Sequence, residues 1–319
     1  MKQALEFKSI EAMHAYIVAA EVDSVMRKST AEQLEYFAQT MHAIDVGECD
    51  GVTEVCEVSL RRNLYVHCDG IVGQPYVNEC ERLHLRMPMD SYKGKTLEMT
   101  SDYFFKAKEL LLVLGLEIGA SLWWNDFRNG RDKIASFLCG TVMKGLLTEN
   151  QNVVAAHLGE YALGRFDKEL RDVDRRVFII HTAQAYKWNK DEANCRHILE
   201  KVGWEASADY LRFGVAVLQD KYEEAAGYMI KIGPHGDIHE SEYHESPLLR
   251  EFRKTKEFVT AYKRVFGRPY NDFPTEARPI VGPDAGKPSA SRLKGPRTVR
   301  PLPVRAQSEM NGRGRAKGA

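Results

Sequence analysis

Residues 209–232 read DYLRFGVAVLQDKYEEAAGYMIKI. Two apolar segments flank the polar triplet Gln219-Asp220-Lys221, so the stretch reads as two antiparallel helices joined at that triplet. On both sides of this hairpin the apolar residues recur at helical rather than alternating spacing. No segment offers a convincing strand, and the chain is expected to be all-α.

Working outward, residues 131–267 read as short helices punctuated by polar turns. They close with LLREFRKTKEFVTAYKRVFG (248–267), a basic amphipathic helix. The run Asp220-Lys221-Tyr222-Glu223-Glu224-Ala225-Ala226 resembles the start of the second helix of a tetratricopeptide repeat. No clean 34-residue period accompanies it, so the region reads as an array of helical hairpins that could hold a protein partner.

Toward the N-terminus, Ile10, Met13, Ile17, Ala20 and Val25 trace one amphipathic stripe. Ser29-Thr30-Ala31-Glu32 is a capping-box pattern opening a second, through Leu34, Phe37, Met41 and Ile44, which Gly47 ends. A third helix is expected from about Val52 to His67, stopped by Asp69-Gly70. Residues 71–100 carry Gly73, Pro75, Pro88 and Gly94 and read as a connection with short elements. A long apolar helix follows from Ser101 to about Phe127.

The charges sort by region. The chain of 319 residues carries 45 Lys plus Arg against 45 Asp plus Glu. Residues 281–319 hold nine Lys/Arg and two Asp/Glu, a surplus of +7, so residues 1–280 carry −7. A uniformly basic nucleic-acid binder is excluded. The C-terminal segment, with five prolines, six glycines and no aromatic residue over 281–319, is expected to be a disordered basic tail. Three regions result: 1–130 a helical bundle, 131–267 helical hairpins, and 268–319 the tail.

No signal-peptide pattern opens the sequence, and the most apolar run, Leu110 to Trp124, contains Glu117 and is too short to span a bilayer. That run reads as a buried helix, and the protein as cytoplasmic with no membrane partner. Cys49, Cys56, Cys68, Cys80, Cys139 and Cys195 show no C-x-x-C pair and read as reduced thiols. His235, His239 and His244 read as a solvated turn, so neither a metal nor another cofactor is expected.

Residues 58–77, VSLRRNLYVHCDGIVGQPYV, are where chemistry could reside. His is the side chain suited to proton transfer near neutral pH, and Arg holds a permanent charge that can grip phosphate through two hydrogen bonds. Together they could cleave RNA without a metal. Arg62 and His67 would stand about 140° apart on an ideal helix. They converge only if the helix ends or distorts near His67, or if a second chain supplies one of them. The same spacing recurs at Arg175, Arg176 and His181, but there Val-Phe-Ile-Ile intervenes and the cluster reads as core.

The segment RRNLYVHCDGIVGQPYV resembles the signature of the HEPN superfamily, in which Arg, a polar residue and His sit in a short all-α domain. One bacterial branch carries RRN-x-x-VHN-x-G-x-V followed by a turn containing tyrosine. Arg61, Arg62, Asn63, Val66, His67, Gly70, Val72 and Tyr76 match it, while Cys68 stands where the branch commonly has Asn. Tyr92 to Lys95, Ser101 to Phe104, the Trp123-Trp124 pair and residues 247–267 agree as flanking features. The resemblance is good over 1–130 and loose over 131–267. It implies a bundle of four or five helices, often a homodimer, with one composite ribonuclease site of the toxin or phage-defence type. Arg62, Asn63 and His67 would be its catalytic residues, with Arg61, Asp69, Gly70 and Tyr76 supporting. Members that bind or scaffold without cutting are the other expectation. The tail could add weak, salt-sensitive contact with RNA phosphate.

Overall fold

The computed structural model describes residues 7, 9–43, 51–85 and 92–271. From 272 onward, most of the expected tail lies outside the described residues, as do Cys49 and the expected stop at Gly47. Among the described residues the protein is all-α, with one isolated bridge, Ile71 to Thr96, as its sole β pairing.

The N-terminal helices are α1 (Ile10–Met26), α2 (Thr30–Gln39), α3 (Val52–Cys68), α4 (Gln74–Arg82) and α5 (Ser101–Asp126). The Ser29 capping box forms as its sequence predicts: Ser29 Oγ accepts from Glu32 N–H, and the Glu32 carboxylate accepts from Ser29 N–H. Thr100 caps α5 by accepting from Tyr103 N–H at 3.1 Å. Leu34, Val52, Val55, Cys56 and Leu114 form a core between α2, α3 and α5. A second small core, including Leu64, Val72, Tyr76, Val77 and Leu97, sits beneath α3 and α4.

Then come α6 (Arg131–Phe137), a π-helical turn (Leu138–Met143), α7 (Lys144–Thr148), α8 (Asn152–Arg165) and α9 (Asp172–Trp188). The second half of α5 belongs to their core. Ala120 and Trp124 pack with Ile134, Leu138, Met143 and Phe178, and Trp124 stacks on Phe166 at 4.3 Å between ring centroids. Packing therefore runs straight across residue 130. At the α8–α9 crossing a Cβ on Gly159 would fall well inside contact distance of Thr182 Oγ1, so the helices approach as closely as a glycine permits.

The body closes with α10 (Glu192–Leu199), α11 (Asp209–Leu218), α12 (Tyr222–Ile232), α13 (Glu240–Glu245) and α14 (Lys256–Phe266). α11 and α12 are the hairpin read from 209–232, and the turn between them is Gln219-Asp220-Lys221, with Asp220 in the left-handed region at φ 57°. Phe213, Tyr243, Phe252, Phe258 and Tyr262 build an aromatic core at this end.

Three expectations need correction. The helix expected over 248–267 starts only at Lys256, because Thr255 caps it; Pro247–Leu249 and Phe252–Lys254 are single 3-10 turns. The folded body also passes the expected boundary at 267. The Arg268 guanidinium donates to Glu240 Oε1 at 2.6 Å, and the Tyr270 ring lies 4.9 Å from Phe258. Finally, α1 forms but buries only Val25. Tyr16, Val18 and Val22 lie off the expected stripe, so apolar groups surround the helix and no single face can collect them.

Among the described residues no single helix is long and apolar enough to cross a membrane. α5 passes such a test only when joined to Arg128–Thr148 across a 104° bend.

Candidate functional site

α3 runs unbroken from Val52 to Cys68 and ends where the sequence places its stop. Asp69 and Gly70 both take positive φ, 50° and 77°, and the Asp69 N–H donates to Leu64 O. Gly70 is required there, since a Cβ would press on the Tyr65 ring and Thr96 Cγ2. The chain then pairs with residues 94–97. Val72 N–H donates to Lys95 O at 2.9 Å, Leu97 N–H to Gly70 O at 3.0 Å, and the Tyr65 hydroxyl to Leu97 O. His67 thus stands on a helix end that is tied down from two directions.

The inward face of α3 carries a closed polar cluster. The buried Glu57 carboxylate accepts from Arg61 Nε at 2.7 Å and from the hydroxyls of Tyr76 and Tyr103, each at 2.8 Å. The Arg61 guanidinium also lies 4.0 Å over the Tyr103 ring, within cation–π range. Burial, together with the charge and hydrogen bond of Glu57, holds both tyrosine hydroxyls protonated, far above their usual pKa. Burial opposes the Arg61 charge, but Glu57 outweighs it and raises the guanidinium's pKa. This cluster is an anchor that locks α3 to α4 and α5.

The structure therefore separates the expected residues into two groups. Arg61 and Tyr76 are internal. Arg62, Asn63, His67 and Asp69 are exposed, and Gly70 is buried in the turn. Arg62 Nη1 donates to its neighbour Asn63 Oδ1 at 2.9 Å. Among the described residues the His67 side chain has no hydrogen-bond or ion-pair partner. Val66 beside it in the sequence and Ile71 just past the turn are exposed apolar residues. Because α3 stays helical through Cys68, Arg62 and His67 keep their separation of about 140°, whereas Asn63 and His67, four residues apart, share a face. Within one chain the Arg62 guanidinium and the His67 imidazole therefore project from different faces of α3.

Two residues of the polar cluster were not singled out from sequence. The four-residue spacing of Glu57 and Arg61 is a readable ion-pair signal. Tyr103 joins from 46 residues away, and no local pattern announces it.

The second Arg-Arg-His cluster is structural. Arg175 Nε donates to Asp167 Oδ1 at 2.6 Å, and Arg176 binds Asp172, Gly203 O and Ser207 Oγ. His181 packs beside the π-helical turn, and burial lowers its pKa to about 4, so its imidazole is neutral. No group of three His, Cys, Asp or Glu among the described residues stands close enough to hold a metal. Of the three histidines in 235–244, His239 begins α13 and His244 Nε2 lies 2.8 Å from the Tyr262 hydroxyl.

A cleft of about 790 Å³ lies elsewhere, against α3, α5 and α8. Glu54, Glu109, Glu117 and Glu160 face it against Lys106 and Arg165, so its field repels phosphate. Described cysteines 56, 68, 80, 139 and 195 are free thiols. No protein-family model matches the chain, and neither a curated protein nor a solved structure matches it.

Proposed function

We propose that the protein is a metal-independent endoribonuclease of the toxin or phage-defence type, acting in the cytoplasm as a homodimer, with Arg62, Asn63 and His67 as its site. The observation that carries this reading is the split of α3. Its inward face is satisfied by the Glu57 anchor, while Arg62, Asn63 and His67 stand exposed on a rigid helix end. The 140° separation calls for a second chain, so the imidazole of one protomer would work with the guanidinium of the other.

In that site one His67 takes the proton from a ribose 2′-OH. The 2′ oxygen attacks the adjacent phosphorus and forms a cyclic phosphate as the bond to the 5′ oxygen breaks. The second protomer's His67, entering protonated, gives its proton to the departing oxygen. Arg62 stabilises the charge that builds on the phosphoryl oxygens, and Asn63 orients substrate by hydrogen bonding. The negative body must be offset by Arg62 and by the positive tail.

Purified protein incubated with labelled RNA in the presence of chelator tests the reading. Cleavage is expected for the wild type and its loss for His67→Ala and Arg62→Ala. Identical RNA profiles for wild type and His67→Ala, together with equal growth of cells expressing either under phage challenge, would overturn it. A non-catalytic scaffold is the second reading, favoured by the hairpins of 131–267, whose packed helices offer a protein-binding surface. It expects partners that still co-purify with Arg62→Ala.

A further inference from the structure

A cavity of about 320 Å³ lies between α7, α9, α11 and the segment 237–249. All of its walls belong to the continuously described stretch 92–271, whereas the acidic cleft has a wall at Gly51, next to undescribed residues. Its volume falls at the lower end of the roughly 300–1,000 Å³ typical of small-molecule pockets, which suits a body of one or two rings.

Leu147, Ile180, Leu211 and Phe213 give the cavity apolar walls, and the fold holds those walls in place. With its amide oriented to satisfy both neighbours, buried Gln184 accepts through Oε1 from Trp188 Nε1 at 3.1 Å and from Leu248 N–H at 3.2 Å. That ties the 3-10 turn at Pro247–Leu249 to α9. The π-helical turn contributes Gly140, where a Cβ would meet no atom within 4 Å, so the lining has a gap that no side chain fills. Such π-helical turns are frequent at functional sites.

The polar groups of the lining set its charge. His181 is half-buried there, its Nδ1 has no hydrogen-bond partner among the described residues, and as a neutral imidazole it repels no cation. Burial, then the charges of Asp237 and Asp174, raise the pKa of Tyr210 and keep its hydroxyl protonated. Lys144 Nζ lies 3.7 Å from Glu242 Oε1, so these two charges offset each other. Asp237, exposed at the opening, has no ion pair or hydrogen bond among the described residues. The lining thus keeps one uncompensated negative charge beside apolar walls. We infer that this cavity binds a small aromatic amine, its ring between the apolar walls and its ammonium group on the Asp237 carboxylate. An anionic ligand of the same shape would meet Asp237 with like charge. The inference does not rest on the ribonuclease reading: ligand binding reports one and RNA cleavage the other.

Isothermal titration calorimetry on the full chain, with tryptamine as the probe, tests it. Tryptamine should bind saturably, one per chain, and raise the melting temperature. Indole-3-acetate, the same ring with a carboxylate in place of the amine, should bind at least roughly tenfold more weakly. Asp237→Asn should weaken tryptamine roughly tenfold and leave melting of the free protein unchanged, because Asp237 is exposed and unbonded. Gly140→Leu should fill the gap and abolish binding; if that variant fails to fold, the exposed Asp237→Asn variant decides alone. The absence of any tryptamine binding would overturn the proposal, including the case in which another segment of the chain occupies the cavity. So would equal affinities for tryptamine and indole-3-acetate, wild-type affinity in Asp237→Asn, or wild-type affinity in a folded Gly140→Leu.

Discussion

Residues 61–67, RRNLYVH, and 175–181, RRVFIIH, share one spacing and have opposite fates. In the first, the leading arginine turns inward to Glu57, while the second arginine and the histidine face solvent. In the second, both arginines are bound by carboxylates, Asp167 and Asp172, and the histidine loses its charge to burial. The intervening residues decide the outcome. Asn-Leu-Tyr-Val turns one apolar residue, Leu64, inward and leaves its neighbours at or near the surface. Val-Phe-Ile-Ile drives Phe178, Ile179 and Ile180 into two cores and leaves His181 half-buried beside them. A pattern of functional residue types is thus only as informative as the hydrophobic residues threaded through it.

The contrast can be broken first at its anchor. Glu57→Ala leaves the Arg61 guanidinium buried without its carboxylate and removes the acceptor of two tyrosines. A loss of about 3–5 kcal/mol is expected in urea denaturation, against a small effect for the equivalent change at exposed Asp172. Next is acid. The folded-state pKa of His181, about 4, lies below its unfolded value near 6.5, so the unfolded chain binds more protons between those limits. The corresponding stability is complete above pH 6.5 and is lost as pH falls toward 4, by about 3 kcal/mol in all. Melting measured from pH 4 to 7 should show this slope, and His181→Gln should flatten it.

A smaller loss is expected at the α8–α9 crossing. Gly159→Ala puts a methyl group against Thr182 and should cost about 1–3 kcal/mol, read as a lowered urea midpoint with the slope unchanged. The smallest belongs to the exposed triad. His67→Ala should change stability by less than about 0.5 kcal/mol while abolishing RNA cleavage. A large destabilisation there would place His67 with His181 and erase the distinction.

Much of the architecture is legible because its determinants are local. The Ser29 box, the Asp69-Gly70 stop and the Gln219–Lys221 turn are each set by adjacent residues and appear where the sequence places them. α4 is harder to read because Pro75 suggests a break, yet proline in a first turn sacrifices no helical hydrogen bond. The exposure of α1 depends on what the other described residues leave uncovered, which periodicity does not encode. At the candidate site the stop is written locally. The division between Arg61 and Arg62 is not, since it depends on Tyr76 and Tyr103 meeting Glu57 from other helices.

The way α5 is shared has a consequence for how the chain is made. As the protein leaves the ribosome, α1 to α5 emerge first, but Trp124 and Ala120 find their partners Phe166 and Phe178 only some 40 to 60 residues later. Until then the C-terminal half of α5 presents the face meant for α8 and α9 to the surrounding solution. A nascent chain whose emerged part ends near residue 130 is accordingly aggregation-prone, and the emergence of α8 and α9 is what ends that exposure.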